Sequence, residues 1–128
     1  MAANTHFAVA VHALTVLAYT ERLTKSDFVA ASINTNPVVV RRIMGQLARE
    51  GLVRSVPGKN GGFELAKPAT KIPLVDVLHA VDGGGVFRIH DNEENPVCTV
   101  SCGMKSALGD VLKRVDGAVD RELSKTSV

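Results

Sequence analysis

Residues 34–66, NTNPVVVRRIMGQLAREGLVRSVPGKNGGFELA, leave few folds open to this chain. Asn36 is a good helix N-cap, and Pro37 suits the first helical position, where a missing N–H costs nothing. Val40, Ile43, Met44 and Leu47 then recur at helical spacing on one face. Arg41, Arg42 and Arg49 fall on other faces, and Gly51 stops the helix. Residues 52–56 read as a strand, 57–62 as a turn and 63–65 as a return strand. Helix, strand, glycine turn, strand is the pattern of a winged helix, and it predicts a surface that reads DNA.

The flanking sequence extends that pattern. Residues 5–20 form a first helix, with Phe7, Val11, Leu14, Leu17 and Ala18 at helical spacing. His6 and His12 read as surface or boundary residues. Thr24-Lys25-Ser26-Asp27 has the form of a capping box and opens a short helix to about residue 31 or 32, with Phe28, Val29 and Ile33 facing inward. Asn34-Thr35 then turns the chain into the helix at Asn36. Two short helices with a tight polar turn make a helix-turn-helix, whose second helix enters the major groove by its N-terminus.

Beyond the wing, residues 67–70 read as a loop, and Pro73 starts a short helix to about Asp82, with Leu74, Val77, Leu78 and Val81 inward. Gly83-Gly84-Gly85 ends it. Residues 83–97 read as a mobile loop, with a short strand at 86–89. A longer helix is predicted from Gly103 to about Ser124. Its apolar positions Met104, Leu108, Val111, Leu112, Val115 and Val119 follow near-heptad spacing, which suits burial against a partner helix. The expected fold class is mainly α with a small β-hairpin wing: a winged helix-turn-helix plus a long C-terminal dimerisation helix. The expected organisation is a DNA-binding domain at 1–82, a sensing loop at 83–102, and the dimerisation helix and tail at 103–128.

Charge supports a phosphate-bearing partner. The whole chain carries only +2, but residues 1–68 hold eight Lys/Arg against four acids, and residues 69–128 hold seven against nine. The basic half contains the winged helix. Aromatic residues make up only 4% and Trp is absent, which argues against a base-stacking platform for single strands. No apolar run approaches a membrane span and no signal peptide is evident, so a soluble cytoplasmic protein is expected. There is no phosphate-binding glycine loop, paired-carboxylate pattern or nucleophile elbow, so no enzyme is expected.

The candidate DNA-contacting residues follow from the docking geometry. Thr35, Asn36, Pro37, Val38 and Val39 occupy the turn and first helical turn that approach base edges, with Ser26 at the head of the preceding helix. Arg41 and Arg42 lie one turn on and reach guanine or phosphate. Val38 and Val39 meet a thymine methyl, or Val39 packs on the preceding helix. Arg54 on the strand, and Lys59, Asn60, Gly61 and Gly62 at the wing tip, are phosphate or minor-groove candidates. A winged helix used for protein interaction without DNA is the alternative.

The two cysteines, Cys98 and Cys102, are not a disulfide framework, and their spacing lacks the second pair of a zinc site. With Cys102 at the start of the last helix, the helix dipole would favour thiolate, making a thiol sensor. Two inert cysteines are the other reading.

Taken together, Asn36-Pro37-Val38-Val39-Val40-Arg41-Arg42-Ile43, Gly51-Leu52-Val53-Arg54-Ser55, Gly58-x-x-Gly61-Gly62-Phe63-x-Leu65-Ala66 and Ile72-x-Leu74-x-Asp76-Val77-x-x-Ala80-Val81-Asp82-Gly83 resemble the Rrf2 family of bacterial winged helix-turn-helix regulators over nearly the whole chain. The resemblance implies a homodimer joined through the C-terminal helix, two heads on a palindromic operator of double-stranded DNA, and a sensing loop before that helix. It suits a repressor. Some members hold an iron–sulfur cluster in that loop through three cysteines and a further ligand. This chain has two cysteines and places Ala8 where some cluster-binding relatives place an acid, so no cofactor is expected.

Overall fold

The computed structural model describes residues 5–82 and 85–128. Three helices come first: α1 (Thr5–Thr20), α2 (Ser26–Ile33) and α3 (Pro37–Arg49). A hairpin of β1 (Val53–Val56) and β2 (Gly62–Leu65) follows, then a 3-10 turn at Ala69–Lys71, α4 (Leu74–Val81) and the long α5 (Thr99–Leu123). The strands are antiparallel, with Val53 opposite Leu65 and Val56 opposite Gly62.

α3 forms as its sequence dictates. The Asn36 side chain accepts the Val38 N–H at 2.8 Å, capping the helix, and Pro37 holds the first position. Val40, Ile43, Met44 and Leu47 are all buried. At the other end Gly51 takes a φ of 75°, Leu52 N–H bonds to the Leu47 carbonyl at 3.0 Å and Gly51 N–H to the Ala48 carbonyl at 3.0 Å. That paired closure is the Schellman motif, and it turns the chain straight into the wing. Between α2 and α3, Asn34 takes a φ of 64°, a left-handed conformation that Asn tolerates better than most residues.

The core lies between α1, α3 and α4, with Leu14, Leu17, Val29, Leu52, Ile72 and Val77 joining the inner face of α3. α1 packs on three helices at once, so its buried face is wider than a single stripe. Ala10, Ala13 and Val16 are buried, and Phe7 and Val11 sit at the rim. Leu47 is fully buried, so Leu47→Ala is expected to cost about 2–5 kcal/mol of unfolding free energy, measured by denaturant titration.

Several local expectations are overruled by tertiary contacts. The Thr24–Asp27 capping box does not form: the N-cap is Lys25, with no side-chain cap. Thr24 is buried, and its backbone exchanges two 2.8 Å hydrogen bonds with Phe63 of the wing. That pairing holds Thr24 extended and displaces the helix start by a residue. Phe28, expected inward, is 53% exposed, because Val29 and Ile33 take the inner face of α2. Leu74 and Leu78 of α4 are only half-buried. The loop at 67–70 runs into the 3-10 turn.

No strand forms at 86–89, where the chain lies against α5 and has no sheet edge to join. Val86 N–H donates to Asp116 at 3.2 Å, and Lys105 donates to the Asn92 carbonyl at 2.5 Å. α4 ends at Val81 with Asp82 as C-cap; the expected stop at Gly83 and Gly84 falls outside the described residues. α5 begins at Thr99, four residues before the expected Gly103. Nothing in Thr99-Val100-Ser101-Cys102 breaks a helix, and an interior glycine costs only about 1 kcal/mol.

α5 is attached to the head near its C-terminus and through the tail that follows it. His79 Nε2 pairs with Asp120 Oδ1 at 2.9 Å. The tail then folds back: Leu74 N–H donates to the Thr126 carbonyl at 2.8 Å, and Val128 N–H to the Ile72 carbonyl at 3.0 Å. No residue of α5 is buried in the single chain.

Candidate nucleic-acid interface

The exposed face of α3 carries Asn36, Val38, Arg41 and Arg42. Val38, Arg41 and Arg42 stand at i, i+3 and i+4, so they share one surface strip. Val38 is 54% exposed with no core contact to account for it. Val39 is half-buried against the core. Thr35 is half-buried in the turn and Pro37 at the helix start.

The wing folds back beside this strip. Its tip turns tightly, with Gly61 N–H donating to the Gly58 carbonyl at 3.1 Å. A Cβ at Gly61 would stand 1.9 Å from the Val56 carbonyl oxygen, and one at Gly62, where φ is 154°, would stand 2.7 Å from the Thr24 carbonyl oxygen. Only glycine permits these approaches. They leave Lys59 and Asn60 exposed at the tip.

Between α2, α3 and the wing lies a groove of about 300 Å³, lined by Lys25, Ser26, Asp27, Arg41, Ser55 and residues of the wing turn. Arg41 Nη1 donates to Ser26 Oγ at 3.2 Å, which aims the guanidinium along the groove. Ser26 and Arg41 are therefore brought together. Arg54 is not: it pairs with Glu64 across the hairpin at 3.2 Å, and strand alternation puts it on the opposite face from Ser55. Lys25 is a groove residue outside the expected contact set. The only signal for it was its place beside Ser26 in the basic half.

The loop and the long helix hold the remaining candidates. Cys98 is the N-cap of α5 and is half-buried; Cys102 is exposed one turn further in, not at the helix start. Both are free thiols, and Cys102 N–H donates to the Cys98 carbonyl at 3.1 Å. A small cavity of about 210 Å³ beside them is lined by His90, Cys98, Met104 and Lys105 among others. Among the described residues no three of His, Cys, Asp and Glu converge closely enough to hold a metal ion. On α5, Leu108 and Val111 are 40% and 42% exposed, while Met104, Leu112, Val115 and Val119 are half-buried. Among the described residues no helix is long and apolar enough to cross a membrane.

A capped helix presenting arginines beside a glycine-tipped hairpin defines a winged helix-turn-helix of the transcription-regulator class. The chain belongs to the Rrf2 family: that family, described as an iron-dependent transcriptional regulator, matches residues 3–128. YwnA of Bacillus subtilis, named as an HTH-type transcriptional regulator, is 36% identical over 126 residues, spanning 98% of this chain and 92% of its own. A solved structure described as a DNA-binding protein superposes with a TM-score of 0.76 at 32% identity, covering 95% of this chain and 94% of that one. The T. potens IscR shares the fold, with a TM-score of 0.68 at 20% identity, covering 96% of this chain and 80% of that one. The family is one of transcriptional regulators, not of enzymes.

Proposed function

We propose that this protein is a sequence-specific DNA-binding transcriptional regulator of the cytoplasm, acting as a homodimeric repressor on a palindromic operator. The observation that carries the reading is the convergence of Arg41, Ser26 and the wing on one groove, with Val38 exposed at the mouth of the helix. A thymine methyl would cover Val38, and Arg41 would reach a guanine edge or a phosphate. The names of YwnA and of the DNA-binding protein above support the same reading. The unburied apolar strip of α5 supports the dimer.

The heads would be regulated through the loop at 83–102, by oxidation of Cys98 and Cys102 or by a small ligand. With hydrogen peroxide as oxidant, the two thiols yield one disulfide and the peroxide is reduced to two waters. The test is selection of random duplex DNA on the full chain, followed by affinity measurements on reduced and peroxide-treated protein. The expected result is a two-fold symmetric sequence with half-sites about one helical turn apart, bound less tightly after oxidation. Recovery of no duplex at low salt would replace this reading with a protein-interaction module. Identical affinities would make the cysteines structural.

A further inference from the structure

We propose that Lys25 is a positioning residue for the wing, an ammonium clamp that holds the wing tip against the start of α2 instead of contacting DNA. The inference rests on the DNA-binding reading above and assigns a role to a side chain outside the expected contact set.

The wing needs such a tether. Its strands are four residues each, and a two-stranded hairpin is marginal alone in water. Its tip contains Gly58 at a φ of 101° and Gly62 at 154°, which permit the turn but add backbone freedom. Two adjacent residues of the chain grip it. Thr24 pairs with Phe63, one residue past the turn, through two 2.8 Å backbone hydrogen bonds. Lys25 Nζ reaches the tip, donating to the Lys59 carbonyl at 2.6 Å and the Gly61 carbonyl at 3.3 Å.

An ammonium has three N–H donors, and two of Lys25's are committed to the wing. The bonded carbonyls flank Asn60 and set where Lys59 and Asn60 project. Ordering a loose loop costs conformational entropy, and a wing ordered before DNA arrives does not lose that at binding. Because Lys25 is exposed, the clamp itself is modest and its loss is felt mainly at the tip.

The test uses Lys25→Met in the full chain. In free protein, tryptic cleavage after Lys59, followed by mass spectrometry, should accelerate about threefold or more with the unfolding midpoint little changed; an unchanged rate overturns the clamp. With a labelled duplex selected on the wild type, affinity should fall about threefold while the slope of log K against log salt is unaltered. Lys59→Met serves as the phosphate-contact control, with a slope shallower by about 0.9. The same shallower slope in Lys25→Met would make Lys25 a phosphate ligand and overturn the proposal. If the wild type retains no duplex, the DNA-binding reading falls, and the cleavage rate still decides the clamp.

Discussion

Val111→Asp is expected to split the proposed dimer into monomers and to weaken binding to the proposed operator by about 100-fold or more. α5 is 25 residues long with none of them buried in the single chain, and Val111 is 42% exposed in the middle of its apolar strip. The residues that hold α5 to its own head lie to one side of that strip. A Cβ at Gly109 would meet Ile89 at 3.7 Å, Asp116 receives the Val86 N–H, and Asp120 pairs with His79. These three stand at i, i+7 and i+11, roughly a third of a turn from Leu108 and Val115 by the helical period. Leu108 and Val111 of the strip thus stay exposed in the single chain, where the proposed second copy would cover them. A carboxylate placed there would be desolvated in the interface without a partner. Two linked heads gain roughly 100- to 10,000-fold in avidity over one, which sets the size of the loss. Sedimentation would read the mass, and an unchanged unfolding midpoint at low concentration would show an intact head. A variant that remains dimeric would remove α5 from the interface.

Arg41→Ala is the second large effect, a loss on the order of 1–3 kcal/mol in binding to the selected duplex. Arg41 is exposed, stands one turn into the capped helix, and is steered by Ser26 Oγ at 3.2 Å. If it reads a guanine edge, the loss comes with relaxed preference at one base position. If it meets a phosphate, affinity falls evenly across sequences and the salt slope becomes shallower. Fluorescence anisotropy against the selected duplex and single-base variants separates the two. Wild-type affinity in Arg41→Ala would exclude it from the interface.

The recognition helix was legible because its signals are local. A capping Asn, a Pro at the first position, a 3.6-residue apolar period and a terminating Gly act within a few residues of one another, and each was observed where the sequence put it. The wing was legible for the same reason, since Gly61 and Gly62 meet backbone that any Cβ would strike. The capping box at Thr24 was also a sound local signal. It failed because Phe63, 39 positions away, offered Thr24 two backbone hydrogen bonds. The strand expected at 86–89 failed because no edge was available, which a β-favouring composition cannot report.

By itself, then, the sequence determined the helix-turn-helix, the hairpin and the apolar strip of the last helix, because periodicity and turn chemistry are written in neighbouring residues. Only the tertiary structure decided what the charged side chains do. It drew Arg54 to Glu64, Arg41 to Ser26 and Lys25 to the wing tip. Each of those pairs joins residues 10 to 34 positions apart. A long basic side chain can reach several acceptors equally well, and which one it meets is settled only when the elements around it have packed.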